Sequence, residues 1–134
     1  MCDFLSIAVP KSAASAMSKW RRRYYALSPH DNPTLKRQLP PDYSAWVLTK
    51  GGCSCDLCIR KTSAADGVLL SEDACNAIRE FAAGFDRVFL CVHAYSGDIS
   101  KERLPNLSRE LRKLDAFGAH APLHRDSLIE LTRR

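Results

Sequence analysis

The chain is expected to fold as one α+β domain, residues 1–134, with a sheet of three or four strands carrying helices mainly on one face. Three observations lead there. Arg87 to Tyr95 alternates strictly, with Val88, Leu90, Val92 and Ala94 on one side and Phe89, Cys91, His93 and Tyr95 on the other. Two other segments repeat apolar residues at helical spacing. Strand-like and helix-like segments alternate along the chain. At 134 residues the length matches a single core. A chain of this size buries about two thirds of its unfolded surface, so it needs no metal or disulfide merely to fold.

Phe4 to Val9 is rich in strand formers and stops at Pro10. Ser12 is placed to cap a first helix, whose Ala13, Met17, Trp20, Tyr24 and Leu27 share one face. Four prolines, at 29, 33, 40 and 41, make Ser28 to Asp42 an irregular connection long enough to bind something. Tyr43 to Lys50 reads as a second strand ending at Gly51-Gly52. Ser71 caps the next helix, with Glu72 and Asp73 in its first turn, Cys75, Ile78, Ala82 and Phe85 facing inward, and Gly84 as terminator. Arg87 to Tyr95 is apolar on both faces and so predicts a central strand. After the turn Ser96-Gly97-Asp98, Leu104, Leu107, Leu111 and Leu114 predict a third helix ending near Gly118. Ser127 to Thr132 fits an edge strand or a short helix equally well. Together these elements predict a two-layer sandwich, with the ferredoxin-like arrangement as the leading version and the strand order open.

Six cysteines stand at 2, 53, 55, 58, 75 and 91. No signal-peptide pattern opens the chain, since Asp3 and Pro10 bound its first apolar run, and no stretch approaches the 18 or so apolar residues of a membrane span. A cytoplasmic protein with reduced thiols is therefore expected, and in that setting a cysteine cluster points to metal or thiol chemistry. The net charge of +5 permits an acidic partner without requiring one, because the basic residues are spread along the chain.

Cys53-Ser54-Cys55-Asp56-Leu57-Cys58 is the one chemically pointed segment. A bend at Gly51-Gly52 would let its three sulfurs converge, and structural zinc takes four tetrahedral ligands, thiolate and imidazole preferred. The expected site is therefore zinc held by Cys53, Cys55 and Cys58, with His93 as fourth ligand and His30, His120 and His124 as weaker candidates. Buried cysteines packed beneath the glycine turn are an equally simple reading. Thiol redox chemistry assisted by Arg60 and Lys61 is another. A cysteine hydrolase would use Cys53 or Cys55 with His93 as base, although nothing sets their separation.

Other motifs point to structure. Cys2 would need a free α-amino group to act as an N-terminal nucleophile, and Met1 acylates it. Lys19 to Tyr25 mixes charge with aromatics, as single-strand nucleic-acid binders do, but Trp20 and Tyr24 fall on the apolar stripe. Nucleic acid is thus not the expected partner. His120 and His124 have one-face helical spacing, which Pro122 interrupts.

Met1-Cys2-Asp3-Phe4, together with Gly51-Gly52-Cys53-Ser54-Cys55-Asp56 after a strand, resembles a group of small bacterial proteins of uncharacterised activity that share an early strand and a G-x-C-x-C turn. That resemblance implies a domain type and assigns no catalytic residue. Asp56 stands where a glycine is expected, and Cys58 is additional to the pattern. The first functional expectation is a small metal-binding domain. The second is a non-enzymatic protein-interaction module with structural cysteines, binding through its basic face and the loop Ser28 to Asp42.

Overall fold

In a computed structural model, residues 2–23, 26–49, 58–61, 67–118 and 122–133 are described. Nine strands and three helices run in the order β1 (Cys2–Pro10), α1 (Ala14–Arg23), β2 (Ala26–Pro29), α2 (Pro33–Lys36), β3 (Tyr43–Thr49), β4 (Cys58–Lys61), β5 (Gly67–Leu70), α3 (Glu72–Ala82), β6 (Arg87–Tyr95), β7 (Ser108–Lys113), β8 (Leu123–His124) and β9 (Ser127–Thr132). The main sheet has six strands in the order β2-β3-β1-β6-β9-β7, and β4-β5-β8 form a second, small sheet. Every neighbouring pair in the main sheet is antiparallel except β7 with β9.

The sheet thus exceeds the three or four strands expected. Its middle matches the expectation: β1 and β6 lie side by side, with Ile7 opposite Leu90. Alternation sends Leu5, Ile7 and Val9 of β1, and Val88, Leu90 and Val92 of β6, to one face, where Met17 and Trp20 of α1 and Cys75 and Ile78 of α3 cover them. Ser71 caps α3 through a 3.1 Å bond from Ala74 N–H to its Oγ, and Glu72 and Asp73 occupy the first turn, as the sequence indicated. The first helix ends at Arg23; Leu27 lies in β2 instead, and Tyr24 falls outside the described residues.

The opposite face carries Ala8, Phe89, Cys91, Tyr95 and Leu128. Two irregular segments cover it, residues 30–42 and 96–107, through Leu35, Leu39, Leu104 and Leu107. Irregular chain over a core must satisfy its own backbone polar groups, and Asn32 is where this is done. As N-cap of α2 its Oδ1 accepts from Thr34 N–H (2.9 Å), Leu35 N–H (3.2 Å) and the Thr34 hydroxyl. Its Nδ2 donates to Ile99 O (2.9 Å) and Glu102 O (2.6 Å), and the side chain is fully buried. Beside it Thr34 Oγ1 accepts from Leu104 N–H, and Gln38 Oε1 from Leu107 N–H.

These bonds explain why the leucine spacing did not make a third helix. Pro105 interrupts the pattern and disfavours helical backbone at Leu104. The amides of Leu104 and Leu107 are taken by side chains, and residues from Ser108 onward pair with β9. A helix would place Leu111 with the other leucines, whereas strand β7 leaves it 70% exposed. Ser127 to Thr132 is a strand, and an inner one, lying between β6 and β7. Among the described residues no helix is long and apolar enough to cross a membrane.

Asn32→Asp keeps the cap acceptor but sets an anionic oxygen against Ile99 O and Glu102 O. It should cost roughly 2–4 kcal/mol in urea unfolding, from two buried carbonyls left without donors. Asn32→Ser, which also caps, should lose a similar amount. Wild-type stability in both variants would mean that the clamp between the two segments is not what holds them.

Candidate functional site

The second face gathers titratable groups that are distant in sequence. His93 and Tyr95 are neighbours on one face of β6, with ring centroids 4.5 Å apart at 82°. His93 Nε2 lies 2.7 Å from Glu102 Oε2, and its Nδ1 lies 2.5 Å from Asp126 Oδ1. Each ring nitrogen of His93 thus faces a carboxylate. Asp126 reaches His93 from the turn between β8 and β9, where it is the one non-glycine residue of positive φ (58°) among those described. Its own N–H donates to Val92 O, and its carbonyl accepts from Ser108 N–H. That conformation joins β6, β7 and β9 at one point; Asx residues tolerate it better than most side chains.

Glu102 accepts from His93 and, through its other oxygen, from Ser96 N–H (2.9 Å) and the Ser96 hydroxyl (2.8 Å). The His93 bond foremost, with the Ser96 bonds behind it, holds its carboxyl down to about 2. Burial, with Asp126 adding to it, pushes the Cys91 thiol up to about 12, and burial also raises Cys75, so the protonated thiol is favoured in both. Burial raises the Tyr95 phenol as well.

From Tyr95 the network passes to His30, whose Nε2 lies 2.7 Å from the Tyr95 hydroxyl. His30 is 2% exposed, burial lowers its pKa, and its Nδ1 has no hydrogen-bond partner among the described residues. His30 also lines a cleft of about 330 Å³. The cleft exists because β2 ends at Pro29, opposite Trp46, while β3 begins at Tyr43, so among the described residues the outer edge of 43–45 has no strand beside it. His30 N–H takes the Ala45 carbonyl there, and the proline-rich segment forms the remaining wall with Lys36, Pro40 and Pro41. Lys11 contributes a second cation, and Asp31 pairs with Lys36 at 3.6 Å on the exposed rim. Tyr43 is fixed by Phe89 (rings 5.2 Å apart, 80°) and by its hydroxyl donating to Arg87 O. Trp46 borders the cleft with an Nε1–H that likewise has no partner among the described residues.

A larger groove, about 410 Å³, runs between α1 and α3. It is lined by Trp20, stacked on Phe81 at 4.3 Å and 8°, and by Phe85, with Lys19 and Glu80 at its margin. Trp20 is therefore committed to packing and does not present a face for a base.

The residues expected to hold zinc are not brought together in what is described. Cys53 and Cys55 lie outside the described residues, and of Cys58 only its backbone place at the start of β4 is described. Both His93 nitrogens are engaged by carboxylates, and among the described residues no group of three or more potential ligands could hold a metal ion. His120 lies outside the described residues, and His124 is exposed in β8, opposite Gly67, so the paired helical spacing is not realised. The sequence did single out the 28–42 loop and His93. It gave no sign of Glu102 or Asp126 as partners, because neither occurs at a spacing that predicts contact.

Comparison with family models, with curated proteins and with solved structures finds no match.

Glu102→Gln should remove an acid-sensitive contribution to stability. A carboxyl held near 2 against an ordinary 4.5 stabilises the fold fully above about pH 4.5 and loses that contribution as pH falls toward 2. Urea unfolding at a series of pH values should show a decline for the wild-type chain over that window, and a shallower one for the variant. Parallel curves would show that the His93–Glu102 bond is not formed in solution.

Proposed function

We propose that the chain is a binding module for a protein partner, using the cleft between the 28–42 loop and the free edge of β3. The observation that carries this reading is the cleft itself, of about 330 Å³, walled by Pro29, Pro40, Pro41 and Tyr43 with Lys11 and Lys36 beside them. A concave site with apolar walls and a few polar groups at its margin is the usual form of a binding site. The clamped loop favours the same reading: it is held by Asn32, Thr34 and Gln38, so little ordering cost remains at binding. The protonated thiols of Cys75 and Cys91 fit structural cysteines and a cytoplasmic setting.

The framework for the module is read as ferredoxin-like. Its support is the run β1-α1-β2-β3-α3-β6, whose strands lie in the order β6-β1-β3-β2, all antiparallel, with both helices packed against one face. On this reading β9 and β7 extend that sheet beyond β6.

Zinc binding by Cys53, Cys55 and Cys58 stands as a separate reading, favoured by three thiols within six residues. It predicts stoichiometric zinc in protein purified without chelator, lost in a Cys53→Ser, Cys55→Ser double variant. Metal-free, fully folded protein would end it.

Peptides selected from a random displayed library against the full chain test the main proposal. Binders should lose about ten-fold or more of their affinity for Pro41→Arg and Ser44→Phe, folded variants that obstruct the cleft. Binders indifferent to both substitutions, or a library that yields none, would overturn it.

A further inference from the structure

We propose that the outer edge of β7 is where two copies of this chain pair, β7 against β7 and antiparallel, joining their sheets into one across a two-fold axis at Leu111. The inference goes beyond the cleft and does not rest on it. The main sheet ends in β2 on one side and β7 on the other. The β2 end is short, Ala26–Pro29, and finishes on a proline, which has no N–H to offer. β7 runs over six residues, Ser108–Lys113, without proline, and among the described residues it pairs only with β9. Its open side presents backbone groups that a further strand would take.

Which groups face outward follows from one bond. Ser108 N–H donates to Asp126 O, on the β9 side. The N–H and C=O of a strand residue point the same way, and successive residues alternate. Glu110 and Arg112 therefore also turn theirs to β9, while Arg109, Leu111 and Lys113 turn theirs outward. Side chains alternate as well. The register with β9 puts Glu110 beside Ile129 and Arg112 beside Leu131, on the helix-covered face, and Leu111 beside Glu130 on the other. There Leu111 is the one large apolar side chain left exposed among the described residues.

A two-fold axis normal to the sheet keeps each face continuous, so a residue can stand opposite only residues of its own face. Two registers then overlap most of β7, one centred on Glu110 and one on Leu111. The first sets Glu110 directly against Glu110 of the second copy, and like charges so placed are destabilising. The second sets Leu111 against Leu111 of the second copy, and Glu110 against Arg112 of the second copy on each side of the axis. It also opposes outward-facing backbone to outward-facing backbone, at Leu111 and between Arg109 and Lys113, and each such pair exchanges two bonds. Glu110 and Arg112 meet at the closer, non-hydrogen-bonded positions, where side chains interact most. Arg109 faces Lys113 in this register, but its guanidinium is drawn aside to Gln38 O at 2.7 Å. Glu110 and Arg112 already touch within one chain, so pairing gives each an opposite charge on a second side.

So short a ladder buries less than the roughly 1,600 Å² of a standard interface, and a weak dimer is expected. Sedimentation equilibrium of the full chain between about 10 μM and about 1 mM should show the mass rising toward twice the monomer's. Leu111→Pro removes an outward N–H and no bond to β9, so this variant should fold and stay monomeric. Glu110→Arg and Arg112→Glu each turn both opposite-charge pairs into like-charge ones, and each alone should associate at least about ten-fold more weakly. Mixed in equal amounts the two should associate again, because every pair of positions 110 and 112 across the axis then joins opposite charges. A chain that is monomeric throughout the range overturns the proposal, and so does a dimer that survives Leu111→Pro. Charge variants that circular dichroism shows folded, yet that fail to associate on mixing, overturn it too. If Arg112→Glu does not fold, Leu111→Pro and Glu110→Arg decide alone, and both must weaken the dimer.

Discussion

The buried side chain of Asn32 is the constraint from which the functional face follows. One amide uses both its hydrogens and its oxygen to join segments nearly seventy residues apart, capping α2 with one end and holding the carbonyls of Ile99 and Glu102 with the other. Without that junction nothing regular covers Phe89, Cys91 and Tyr95, since both helices of more than one turn lie on the other side of the sheet. The same amide sets where the backbone of Glu102 runs, and so where its carboxylate meets His93. Geometry at the His93 cluster and the shape of the cleft therefore share one cause.

A division of labour follows between two histidines on one face. His93, flanked by Glu102 and Asp126, is held in place by hydrogen bonds at both ring nitrogens. His30, buried against Tyr95 with Asp31 and His93 the charged or titratable neighbours that act on it, is held by exclusion of water. The first ties β6 to the turn before β9 and to the 96–107 segment. The second keeps a buried nitrogen without a hydrogen-bond partner among the described residues, a condition that persists because the surrounding fold is stable enough to carry it.

Legibility in the sequence tracked how local the determining interactions are. β6, α3 with its Ser71 cap, and the first strand were readable because alternation and capping act within a few residues. The 104–114 leucines misled because period alone cannot register that Thr34 and Gln38, far upstream, take the amides of Leu104 and Leu107. β2 and the small sheet were missed for a related reason: strands of two to four residues carry too few side chains to show alternation. At the site, the 28–42 loop was visible through its prolines and His93 through its strand, while Glu102 and Asp126 entered only through tertiary geometry. The cysteine cluster, the loudest feature of the sequence, owes its prominence to three thiols within six residues.

Strand order also bears on how the fold is reached. β1 sits in the middle of the six-stranded sheet, and β9, the last described strand, inserts between β6 and β7. During synthesis the first strand must wait for partners made forty and more than eighty residues later, and β7 emerges with neither edge paired. Such long-range closures are slow to form. A nascent chain of this topology would therefore spend its growth with strand edges open to intermolecular association.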